Sequence, residues 1–218
     1  MSFISFIFSC LNPLPSNHVN LVNPVQNFCC LPRLSKWHGK RIFGGMARHI
    51  TLVGMMGSGK STVAPLVAAR LKRDVIEVDA LIEKQEKMPI GEIFIAKGEA
   101  YFRRAECNLI AQLLSRPPAV LSLGGGAFQW EPTRKLLLEH TVVFYLSASQ
   151  EILCSRLQAE TAKRPLLNTS GISLEETVRD LLERRGTYYG MAHYRVETDF
   201  HRPDDVAKSI LMMREAYE

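Results

Sequence analysis

From Met46 onward, short runs of branched and aromatic apolar residues alternate with longer stretches of helical periodicity. The strand-like runs are His49–Val53, Val75–Glu77, Val120–Leu123, Val142–Leu146 and a weaker Arg195–Thr198. Helical patterns between and after them cover Thr62–Leu71, Ala80–Gln85, Ile90–Ala96, Ala100–Ser115, Pro132–Glu139, Gln150–Glu160, Leu174–Tyr188 and Pro203–Glu218. Strands separated by helices predict a parallel α/β sheet, because parallel neighbours need crossover connections and those connections are usually helical. Pro117-Pro118 stops the long fourth helix ahead of the third strand. Right-handed crossovers bring the loops after the strands to the carboxyl edge of the sheet, where ligands bind in such folds.

Residues 1–45 break this pattern. They are rich in Asn, Pro and Ser, start apolar at Phe3–Phe8 and show no sustained period. Three readings stay open for them: translation that begins at Met46, an organelle transit segment such as one for a plastid, or a disordered tail. A secretory signal is disfavoured, since no basic residue precedes the apolar run. The chain thus divides into an extension, 1–45, and one domain, 46–218, long enough for a proper core.

Charge follows the same division. The extension holds Arg33, Lys36, Lys40 and Arg41 and no acid; the first acidic residue of the chain is Asp74. Removing those four from the 27 basic residues leaves 23 against 22 acidic, so the net +5 belongs to the extension and the domain is nearly neutral. That excludes a nucleic-acid footprint. No apolar stretch reaches transmembrane length. Cys10, Cys29, Cys30, Cys107 and Cys154 lack metal-site spacing, and their odd number fits reduced thiols in the cytoplasm.

The strongest chemical signal is Gly54-Met-Met-Gly-Ser-Gly-Lys-Ser61, a full phosphate loop set between a strand and a helix. Its glycines let backbone N–H groups face phosphate oxygens, and the helix adds its positive end. Lys60 is placed for the β/γ-phosphates and the Ser61 hydroxyl for Mg²⁺. After the second strand, Glu77-Val-Asp79 carries two carboxylates that period-two alternation sends to one side, suited to a metal anchor and to a group that orients or deprotonates a hydroxyl. Arg103 and Arg104 open a helix. Either is free to pair with Glu99 or Glu106 on a solvated face, and Arg103 also suits forked recognition of an anion. Gly124-Gly-Gly126 follows a buried strand, where a ligand can lie against the backbone. The polar stretch Ala159–Ser173, with Lys163-Arg164, has the length of a mobile lid. In Glu183-Arg-Arg-Gly186, one arginine either points back to the cleft or caps the helix.

Taken in order, these segments resemble the shikimate kinase family over residues 46–218. The resemblance rests on the phosphate loop, Asp79 with Ile82-Glu83, Ile90-Gly-Glu-Ile-Phe94, Gly98-Glu99 with Phe102-Arg103, the triple glycine, Arg164-Pro-Leu-Leu167, and Arg185 with Tyr189. It implies a three-layer α/β/α sandwich of the P-loop kinase type, with a five-stranded parallel sheet and a mobile lid. It also implies ATP-dependent phosphorylation of the 3-hydroxyl of shikimate. In that frame Asp79 holds and activates the substrate hydroxyls, Arg103 and Arg185 bind the carboxylate, and Gly124, Gly125 and Gly126 line the same pocket. Gly57, Ser58, Gly59, Lys60, Ser61 and Thr62 bind ATP, Arg164 meets the transferred phosphate, and Arg156 and Pro203 flank the adenine. Ser122 lies near Mg²⁺, beyond its direct ligands. Where the family has an aspartate beside the metal this chain has Glu77, and direct contact between Glu77 and Mg²⁺ is open. The expected partners are small molecules only, with a monomer sufficient. The rivals are a kinase of the same frame for another hydroxylated acid, such as gluconate, and a nucleotide-regulated switch. No guanine-reading Asn-Lys-x-Asp element occurs to support a GTPase.

Overall fold

Branched residues dominate the strands, and alternation along them builds two apolar layers. In β1 (His49–Val53) and β4 (Thr141–Ser147), Ile50, Leu52, Val142, Phe144 and Leu146 pack toward helices α1 (Lys60–Leu71) and α8 (Pro203–Tyr217). Val53, Val143 and Tyr145 face the opposite layer, which holds α4 (Glu99–Leu113), α6 (Gln150–Thr161) and α7 (Leu174–Tyr189). Each fully buried aliphatic contributes about 1.5–3 kcal/mol. The polar interruption at Thr51 is satisfied within the core: its hydroxyl donates to Thr141 Oγ1 at 2.9 Å, which donates to Leu137 O at 2.8 Å.

The computed structural model describes residues 48–161 and 173–217. The extension 1–45 and the lid arginine Arg164 lie outside the described residues. The described strands form one parallel sheet in the order β2-β3-β1-β4-β5, with β2 at Val75–Glu77, β3 at Val120–Ser122 and β5 at Tyr194–Glu197. Helices flank both faces, so the expected three-layer P-loop sandwich is the observed architecture. Register decides where the chemistry goes. Glu77 and Leu52 both pair with Ser122, so β1, β2 and β3 end together at one edge. The chain reverses direction across the sheet beside β1, and ligands bind at such switch points.

The remaining helices are α2 (Val78–Glu86), α3 (Ile90–Lys97) and α5 (Glu131–His140). One expectation needs correction here. Glu77 and Asp79 do not share a side through strand alternation, because the chain turns into α2 at Val78 and Asp79 sits in the first helical turn. Strand and helix ends otherwise shift by one or two residues; β5, for instance, starts at Tyr194. The start of α7 was legible in its capping box, with Ser173 Oγ accepting from Glu176 N at 3.1 Å and Ser173 N donating to Glu176 at 3.2 Å.

Gly186 lies inside α7, and an added Cβ there meets nothing within 4 Å. Gly186→Ala should stabilise the protein by about 0.5–1 kcal/mol by restricting the unfolded chain and favouring the helix. The urea midpoint should rise with an unchanged slope; a fall would show an undetected conflict at that position.

Candidate active site

The donor half is local. The phosphate loop links β1 to α1, and Gly59 caps α1 in a left-handed conformation at φ 91° that glycine adopts without strain. A cleft of about 700 Å³ opens over it, lined by Gly57, Ser58, Gly59, Lys60, Ser61, Thr62, Glu77, Asp79, Ser122, Gly124, Gly125, Arg156 and Pro203, among others. Arg156 spans the far side, donating to Gly57 O at 3.2 Å, Thr198 Oγ1 at 3.1 Å and Thr198 O at 2.7 Å. The expected nucleotide residues outside the lid therefore converge.

Lys60 Nζ donates to Gly54 O at 2.9 Å and Met55 O at 2.8 Å. Burial pulls its pKa down to about 8, against the opposing fields of Asp79 and Glu77, while Arg185 adds to the lowering. A base whose pKa falls on folding contributes stability above its unfolded pKa and loses it as pH drops through the folded value. Charged Lys60 is therefore held at a cost at neutral pH. Polyphosphate beside it would restore the charge, so nucleotide binding above pH 8 should take up a proton. ATP affinity should fall toward tenfold per pH unit well above 8. Calorimetry in buffers of different ionisation heat measures that uptake; equal heats at pH 9 would refute it.

The acceptor half is assembled from distant segments. On Gly124, an added Cβ would lie 2.6 and 2.7 Å from the Asp79 carboxylate oxygens; on Gly125, 2.8 Å from Arg185 Nη1; on Gly126, against Arg103 Nη2. Three consecutive glycines thus each carry one polar side chain against the backbone. Real Cβ atoms do not approach so closely.

Asp79 Oδ1 is buried and has no hydrogen-bond partner among the described residues. Burial raises the Asp79 pKa, with Arg103 and Lys60 opposing. Arg185 Nε is likewise buried without a partner, while its Nη1 lies 3.9 Å from the Met55 sulfur. An open carboxylate and an open guanidinium suit a ligand that carries both hydroxyls and an anion. Arg184 and Arg104 are exposed, so the cleft-facing member of each arginine pair is Arg185 and Arg103.

Arg103 does pair with both acids, as the plain reading of its spacing allowed, but not on a solvated face. It donates to Glu106 at 2.9 Å and to Glu99 at 3.3 Å, and Glu106 is fully buried. Burial pushes Glu106 up to about 7 despite Arg103. Glu106 was read from the sequence only as a solvated partner of Arg103, although it stands on the apolar stripe Phe102, Leu109, Leu113 of α4, where an acid demands an explanation. Tyr189 was quoted only as a motif position. Its hydroxyl donates to Gly125 O at 2.5 Å, and burial raises its pKa to about 12, so it remains a neutral donor. Thr198, which receives Arg156, carried no sequence signal.

The residues that would hold a divalent cation are Ser61, Glu77 and Asp79, whose hydroxyl and carboxylates are hard oxygen donors lining one cleft. Among the described residues no cluster of three or more His, Cys, Asp or Glu forms a dedicated cage.

The shikimate kinase family model matches residues 56–214. The chain belongs to the shikimate kinase family. A shikimate kinase of Geobacillus thermodenitrificans is 42% identical over 177 residues, covering 78% of this chain and 93% of that one. One from Bacillus pumilus is 41% identical over 165 residues, covering 75% and 88%. Among solved structures, the shikimate kinase from Acinetobacter baumannii in complex with shikimate superposes with a TM-score of 0.69 at 35% identity, covering 78% of this chain and 94% of that one.

Proposed function

We propose that this chain transfers the γ-phosphoryl group of ATP to the 3-hydroxyl of shikimate, producing shikimate 3-phosphate and ADP. The observation that carries this reading is the row of three glycines holding Asp79, Arg185 and Arg103 beside the phosphate-loop cleft. Shikimate presents a carboxylate at one end and hydroxyls at the other. Two arginines and one aspartate are the complementary set.

Arg103 and Arg185 take the carboxylate and so fix the ring. Asp79, on the opposite side, accepts the proton of the attacking hydroxyl and aims its oxygen at the phosphorus. Lys60 leaves the loop carbonyls to meet the β/γ-phosphates, and loop N–H groups hold the remaining oxygens. Arg164 neutralises charge on the group in flight, and Arg156 and Pro203 flank the base. Ser61 and Glu77 would hold the Mg²⁺ that accompanies ATP, and that ion would supply charge neutralisation on the phosphates. Catalysis then comes mainly from positioning and electrostatics. The unit that carries it is residues 46–218, working in the cytoplasm as a monomer.

A coupled assay of ADP release across shikimate, gluconate and nucleoside monophosphates tests the reading. Turnover should appear with shikimate and stay near background with the others. Comparable turnover of gluconate would overturn the assignment.

A further inference from the structure

Arg134 lies in α5, outside the cleft, yet it touches both walls of the acceptor pocket. Its Nη1 donates to Phe128 O at 3.1 Å and Gln129 O at 3.0 Å, two carbonyls of the tight turn that follows Gly126. That turn is wound by Ala127 N donating to Gly124 O at 3.1 Å and Gln129 N to Gly126 O at 3.2 Å. A cation placed on its end therefore steadies the glycine row through the backbone. The same guanidinium lies 4.9 Å from the centre of the Tyr188 ring, in the last turn of α7. Tyr188 adjoins Tyr189, which donates to Gly125 O, and follows Arg185 by three residues on the same helix. The glycine row and α7 are thus pinned at two points, one neutral and one cationic.

We propose that Arg134 is a positioning residue that sets the separation between Arg185 and the glycine row, and through it the grip on the substrate carboxylate. The tolerance at that separation is small: an added Cβ on Gly125 would already stand 2.8 Å from Arg185 Nη1. Release of the latch lets α7 and the glycine row drift apart, which loosens a forked contact without touching the phosphate loop. The proposal rests on Arg185 binding the acceptor carboxylate.

Steady-state kinetics of Arg134→Ala, Arg134→Lys, Tyr188→Phe, Tyr188→Leu and Arg185→Ala test it in the full chain. Arg134→Ala should raise KM for shikimate about tenfold, with kcat and KM for ATP within about twofold. Arg134→Lys keeps a donor for the carbonyls and loses the flat stack on Tyr188, so its KM should be intermediate. Tyr188→Phe should behave as the parent, and Tyr188→Leu should follow Arg134→Ala; these two carry the test if Arg134→Ala does not fold. Unchanged KM for shikimate alongside a lowered unfolding midpoint would reduce Arg134 to a structural role and overturn the proposal. So would equal losses toward both substrates. If Arg185→Ala itself leaves KM for shikimate unchanged, the underlying carboxylate assignment fails instead.

Discussion

Asp79→Asn should lower kcat by about 10²–10⁴-fold while nucleotide binding changes little. Asparagine keeps the size and an acceptor oxygen of the side chain, so packing against Gly124 is preserved and only the basic oxygen is lost. The wild-type carboxylate is primed for that task, because burial raises its pKa and Oδ1 has no partner among the described residues. Arg103 and Lys60 pull the other way and oppose that rise. Because the folded pKa is raised, ionising Asp79 costs stability as pH rises through its titration. Activity should show the opposite trend and fall as pH drops through it. Single-turnover rates and equilibrium ATP binding measure the two quantities separately. A kcat equal to that of the parent would remove Asp79 from the reaction.

The second large effect is expected at Gly126. Its φ of −97° and ψ of −12° suit any residue, so alanine is acceptable to the backbone. The nearest conflict is with Arg103, whose Cζ would stand 3.0 Å from the new methyl and whose Nη2 closer still. Arg103 has little room to yield, being held by buried Glu106 at 2.9 Å and by Glu99 at 3.3 Å, with its guanidinium 5.2 Å from the Phe102 ring centre. Gly126→Ala should therefore raise KM for shikimate by at least about 30-fold, the equivalent of roughly 2 kcal/mol of charge-assisted bonding. ATP binding and the unfolding midpoint should change little. Calorimetric titration with shikimate and a thermal melt decide it; tight binding in the variant would show that Arg103 does not grip the acceptor.

The alternation of apolar runs with helical periods made the parallel sheet legible, because each strand and helix reports its own period. Boundaries were less so. The strand Val75–Glu77 stands as read, but the helix after it opens at Val78, two residues before the expected Ala80, so strand alternation does not govern Glu77-Val-Asp79. Glu106 was readable in principle as an acid on an apolar stripe, whereas the choice of Arg185 over Arg184 came from the family resemblance and not from spacing, since both fit the end of a helix. Tyr189 and Thr198 are held by bonds to backbone carbonyls far away in sequence, at Gly125 and Ser147, which no local pattern encodes.

By itself the sequence determined the donor half. Eight contiguous residues from Gly54 to Ser61 specify a turn, a glycine cap and a helix start, and local sterics and hydrogen bonding suffice to shape them. The acceptor half was decided only in three dimensions. Asp79, Arg103, Arg185 and the glycines at 124–126 come from four segments, brought together by strand register and crossover direction. The physical reason is range: a phosphate loop is a local conformation, whereas a pocket for a hydroxylated carboxylate is a juxtaposition that burial and packing create after the sheet has formed.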